Sequence, residues 1–125
     1  MPRKIASFLV TAVLAAAMSS AAFAASTQWA RVITVKTDNL SAYMAELDKG
    51  RAMLKRLGVS VQLRVWRAQF AGPQAGTLIV TQEYPSWAAF ADAQAKTAAD
   101  PEFGKWLAGL DKVRTIVSDS LYREL

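Results

Sequence analysis

Hydrophobic and polar positions change period several times along the chain. From Trp29 to Thr37 (WARVITVKT) β-branched and aromatic residues dominate, which predicts a strand. Asp38-Asn39 follows as a turn and N-cap pair. Leu40, Tyr43, Met44, Leu47, Leu54 and Leu57 then fall on one helical stripe, and the spacing predicts a helix over 40–57. Gly58 is placed to end that helix in the left-handed conformation. Val59 to Phe70 returns to period two. Val59, Val61, Leu63 and Val65 take one face, and Ser60, Gln62, Arg64 and Trp66 take the other. A turn over residues 71–76 (AGPQAG) leads into a strand from Thr77 to Tyr84, so the two strands make a hairpin.

Pro85-Ser86 breaks that strand, with Ser86 as the N-cap of a helix over 87–97 that carries Trp87, Phe90, Ala91 and Gln94 at helical spacing. Asp100-Pro101-Glu102 restarts a helix: an Asp cap, a proline at the first helical position, and an acid favoured by the dipole. Phe103, Trp106, Leu107 and Leu110 form its apolar side. Val113 to Tyr122 closes the chain as a strand. The order is β-α-β-β-α-β with the second helix in two pieces. It predicts an α+β, ferredoxin-like fold, one four-stranded antiparallel sheet with its helices on one face. Trp87 and Trp106 are expected in the core, and Trp29 on an edge strand.

The residues before Trp29 follow another logic. Arg3 and Lys4 form a basic start, Ile5 to Met18 an apolar run, and Ala22-Phe23-Ala24 a small-residue exit. These are the three parts of a signal peptide. The apolar run is shorter than the about 20 residues a spanning helix needs. The expectation is cleavage after Ala24 and a single domain over residues 25–125, periplasmic or secreted, that meets a membrane only during export.

Charge and composition then narrow the chemistry. Loss of Arg3 and Lys4 takes the 15 basic residues to 13 against 10 acidic ones, a net charge of +3. The basic residues are scattered, and the local cluster Lys49 to Arg56 sits on a helix face, so a nucleic-acid partner is not expected. The chain has no cysteine and no histidine. That leaves no disulfide framework or thiolate nucleophile. It disfavours zinc enzymes, His-ligated haem and Ser-His-Asp hydrolases together. Gly72 and Gly76 flank a turn and form no nucleotide fingerprint. No metal and no cofactor is assigned.

The element order resembles the dimeric α/β-barrel superfamily, which includes antibiotic-biosynthesis-type monooxygenases and NIPSNAP-like proteins. The tract Pro85-Ser86-Trp87-Ala88-Ala89-Phe90, the restart Asp100-Pro101-Glu102-Phe103 and the closing Ser120-Leu121-Tyr122-Arg123 are similar to what members show there. The resemblance covers residues 29–125 and reports fold rather than activity. It implies a homodimer whose two sheets face each other and close a barrel. A sheet face carrying Trp66, Phe70 and Ile79 is apolar for an exposed surface, which agrees with cover by a second copy.

If Phe70 faces Thr77 across the hairpin, Arg64 falls opposite Glu83 and Trp66 opposite Thr81. All four then lie on the face away from the Val61-Leu63-Val65 stripe. In one reading they bind a ligand in the barrel cavity: Trp66 stacks on a flat molecule, Arg64 holds an anionic or carbonyl oxygen, and Glu83 orients Arg64 or acts as a base. In the other reading they form a structural cross-strand ion pair and an interface tryptophan. The leading functional expectation is an exported homodimer that binds a small aromatic ligand. The alternatives are a cofactor-independent monooxygenase of a phenol or quinol, with Arg64 and Glu83 as weak catalytic candidates, and a non-catalytic structural or assembly dimer.

Overall fold

The computed structural model describes residues 27–125, so the expected signal peptide, residues 1–24, lies outside the described residues. The chain runs β1 (Trp29–Lys36), α1 (Leu40–Arg56), β2 (Gln62–Arg67), β3 (Leu78–Tyr84), α2 (Trp87–Ala99), α3 (Pro101–Gly109) and β4 (Thr115–Arg123). The sheet order is β2-β3-β1-β4, with every neighbouring pair antiparallel. This is the ferredoxin-like arrangement that the hydrophobic pattern predicts.

The helix ends are set where the sequence places them. The Asn39 side chain accepts from the Ala42 N–H at the start of α1, and the Ser86 hydroxyl accepts from Ala89 at the start of α2. Gly58, at φ +68°, follows the end of α1 in the left-handed region that a side chain would resist. Asp100 stands in extended conformation between α2 and α3 and accepts from the Phe103 N–H at 2.9 Å. The same carboxylate receives Arg56 Nη2 at 2.7 Å, which ties the end of α1 to the start of α3.

One side of the sheet packs on the helices. Val35, Tyr43, Leu47, Leu78, Val80 and Leu110 form the buried cluster, flanked by Ile33, Leu63, Val65 and Trp106. Full burial of each such side chain is worth roughly 1.5–3 kcal/mol. The sheet's other face is open in the single chain. Its rows run Gln62-Glu83-Ala30-Tyr122, Arg64-Thr81-Val32-Ser120 and Trp66-Ile79-Thr34-Ser118.

Three details differ from the sequence expectation. β2 ends at Arg67, and Phe70 is fully exposed in the loop rather than on the sheet. The hairpin closes with Ala68 donating to the Thr77 carbonyl at 2.9 Å and accepting from Gly76 at 2.8 Å. The loop is therefore longer than expected, and the register moves by two residues. Thr81 faces Arg64, and Glu83 faces Gln62. An even shift leaves every side chain on its expected face. Trp29 lies on a central strand, not an edge. It packs on a half-exposed Trp87 with ring centroids 4.8 Å apart, at the rim rather than inside the core.

Candidate functional site

The four residues singled out from sequence do meet on the open face. Trp66 Nε1–H donates to Thr81 Oγ1 at 3.1 Å. Arg64 Nε lies 3.1 Å from Glu83 Oε2, and Arg64 Nη2–H donates to Gln62 Oε1 at 2.9 Å. Both main contacts run diagonally across the hairpin instead of directly opposite, a reach that long side chains have. The cluster is a surface in one chain: Trp66 is 50% exposed, and the Arg64 side chain 45%. Most of its polar groups are paired with one another, although Glu83 Oε2, beside the Arg64 charge, is buried without a hydrogen-bond partner among the described residues.

A cavity of about 510 Å³ lies on the other side of the sheet, between it and the helices. Ile33, Leu47, Leu63, Val80, Phe103 and Leu107 supply apolar walls. Polar groups join them from the strands. Arg31, Gln82 and Asp119 share the helix-facing side of β1, β3 and β4. Arg31 grips Asp119 through both carboxylate oxygens, Nε to Oδ1 at 2.9 Å and Nη2 to Oδ2 at 2.6 Å. The Arg31 hydrogen bond holds the Asp119 carboxyl below its usual range. Burial opposes this, and the positive charges of Arg31 and Arg114 add to it.

Two tyrosines and a second arginine complete the lining. Tyr84 donates its hydroxyl to Gln82 Oε1 at 2.9 Å and packs edge-on against Phe90. Burial pushes the Tyr84 hydroxyl up and the Arg31 charge pulls it back. Burial likewise raises Tyr43, against the charge of Arg114. Both phenols therefore stay neutral, able to donate hydrogen bonds. The Arg114 side chain is only 7% exposed.

Sequence reasoning did not single out Arg31, Tyr84, Arg114 or Asp119. One signal was present. Arg31, Ile33 and Val35 alternate along β1, which puts a charged residue on the core face. Asp119 and Arg114 gave no local cue, because their surroundings come from distant elements. A second concavity, a groove of about 710 Å³, runs on the outer side between α1 and α3, over Met53 and Trp106.

No family model and no curated protein matches the chain. Several solved structures do match in shape. SnoaB from Streptomyces nogalater, described as a cofactor-independent oxygenase, superposes with a TM-score of 0.57 at 14% identity over 76% of this chain and 90% of its own. A NIPSNAP family protein from Agrobacterium tumefaciens gives 0.59 at 15% identity, over 79% of this chain and 83% of its own. A dimeric ferredoxin-like protein from an uncultured marine organism gives 0.50 at 12% identity, over 78% and 85%. These likenesses show a ferredoxin-like fold.

Proposed function

We propose that the protein is exported and dimeric, and that each subunit binds a small, largely apolar molecule between its sheet and its helices. The observation that carries this reading is the cavity. It is about 510 Å³ in volume, largely apolar in its walls, and furnished with a few convergent polar groups, among them Arg31 paired to Asp119, Arg114, and the two neutral tyrosines. Ligand sites have that size and that mixture.

The open-face cluster then takes the second role the sequence left for it, contact between subunits. Trp66 and Tyr122 are large, half-exposed rings on one face. The Trp66 N–H is already satisfied by Thr81, and Arg64 by Glu83 and Gln62. A face with exposed rings, and with its tryptophan N–H and its arginine already engaged, favours a second copy over a polar ligand. The dimeric state of the similar marine protein supports the same reading.

A second reading uses the same cavity for chemistry. SnoaB is described as a cofactor-independent oxygenase, and the fold is shared. In such a reaction an easily oxidised phenol or quinol donates the electrons to oxygen itself. The protein has to position the substrate and stabilise its anion, for which Arg114 on the cavity wall is the candidate.

The test uses the chain that begins at Ala25. Tryptophan emission is followed while apolar aromatic compounds are titrated in, and oxygen uptake is measured with the same phenols and quinols. Saturable binding without oxygen uptake identifies a binding protein, and uptake that saturates with the quinol identifies the oxygenase. The absence of both overturns the cavity as a ligand site. Intact mass of the exported product checks cleavage after Ala24.

A further inference from the structure

Arg114 sits at the start of the last strand, where the turn Leu110–Lys112 hands the chain from α3 to β4. Its backbone N–H bonds to the Leu110 carbonyl, and its side chain lines the cavity. The guanidinium is more than nine-tenths buried, yet among the described residues Nη1 has no hydrogen-bond partner. The nearest carboxylate is Asp111 Oδ1 at 3.9 Å, beyond hydrogen-bond range, on a side chain that is 80% exposed. Asp119, the other acid on this wall, is held at both oxygens by Arg31.

A guanidinium cannot shed its proton to escape burial. Leaving one in the interior without its counter-charge is strongly unfavourable, and an apolar residue of similar volume would serve the fold better. The neutral hydroxyl of Tyr43 lines the same cavity, close enough to feel the arginine's charge. Arg114 and a phenol thus line the cavity together, and Nη1 of the guanidinium has no hydrogen-bond partner among the described residues.

We propose that the cavity's ligand is an anion: an apolar molecule bearing one carboxylate or phenolate oxygen, which pairs with Arg114 while its body lies among the apolar walls. This rests on the reading of the cavity as a ligand site and adds the charge of the ligand to it. The Arg31–Asp119 pair, neutral as a unit, borders the body of the ligand. Arg114, with its Nη1 lacking a hydrogen-bond partner among the described residues, supplies the positive charge that the ligand's oxygen meets.

Two probes of one shape separate these claims: 2-naphthoate and 2-naphthamide, titrated against tryptophan emission. The wild-type chain binds naphthoate at least tenfold more tightly than naphthamide. Arg114→Met loses at least tenfold in naphthoate affinity and less than threefold in naphthamide affinity. Its thermal midpoint is equal to or above that of the wild type, because an unpaired buried charge has gone. Gly104→Phe, which adds bulk at a glycine bordering the cavity, abolishes both. Equal binding of the two probes to the wild type overturns the anion proposal and leaves the cavity reading standing. A naphthoate preference that survives in Arg114→Met also overturns it. Failure of both probes to bind, or binding that persists in Gly104→Phe, overturns the cavity reading and this proposal together.

Discussion

The indole of Trp106 lies so close to Gly50 that a Cβ at that position would stand 2.5 Å from Cη2 and 2.6 Å from Cζ2. Gly50 is in the middle of α1 and Trp106 in the middle of α3. The absent side chain lets the ring lie flat against the helix, where its N–H donates to the Glu46 carbonyl at 3.1 Å. Trp106 also borders both the cavity and the outer groove, so this contact sets the position of a shared wall.

Gly50→Ala should therefore destabilise the protein, although alanine is the better helix former. The propensity gain is about 1 kcal/mol. Overpacking against the ring costs about 1–3 kcal/mol. Urea denaturation should show a net loss of up to about 2 kcal/mol, and the Trp106 contribution to emission should shift. A gain in stability would mean that the indole can move aside.

The same change at Gly104 should have the opposite sign. Gly104 is also inside a helix, but a Cβ there meets nothing within 4 Å, and the position borders the cavity. Gly104→Ala should stabilise by roughly 0.8–1 kcal/mol from helix propensity alone. Gly104→Phe should keep the fold, as judged by its far-ultraviolet spectrum, and remove ligand binding.

Asp119 gives a pH dependence with a definite sign. Its carboxyl is held below the ordinary aspartate range in the folded chain, first by the Arg31 hydrogen bond. A group depressed on folding contributes stability that is present above its unfolded pKa and is lost as pH falls through the folded value. The stability difference between wild type and Asp119→Asn should be constant from pH 7 down to about 5 and shrink below about 4. With both partners about one-third exposed (35% and 33%), the difference at pH 7 should be about 1–2 kcal/mol, between an exposed and a buried pair. A difference that stays flat down to pH 2 would place the effect in packing.

Trp66→Arg should separate assembly from folding. The ring is half-exposed in one chain, so the substitution leaves the core of Val35, Leu47 and Val80 intact. Light scattering should report a dimer for the wild type and a monomer for the variant, with little loss of monomer stability. A variant that remains dimeric would move the subunit contact to another face.

The local code of this chain was largely legible. Asn39, Ser86 and Asp100 cap the helices they were expected to cap, because a cap needs only residues a few positions away. The alternation around Leu63 and Val65 put Arg64 and Trp66 on the correct face, and the hairpin brought Thr81 and Glu83 to them. The error of two residues in register came from the loop, whose extra length is a matter of turn geometry that alternation does not encode.

Sequence by itself determined the order of elements, the two faces of the sheet and the absence of histidine and cysteine chemistry. Each of these follows from composition or from a period of 2 or 3.6 residues, which a single strand or helix displays alone. Only the tertiary structure decided which face holds the enclosed space and which charges in it are answered. Arg31 meets Asp119 across 88 positions, whereas Arg114 Nη1 is buried with no hydrogen-bond partner among the described residues, its nearest carboxylate Asp111 standing 3.9 Å away. Burial and pairing depend on elements far apart in the chain, and no local pattern carries that information.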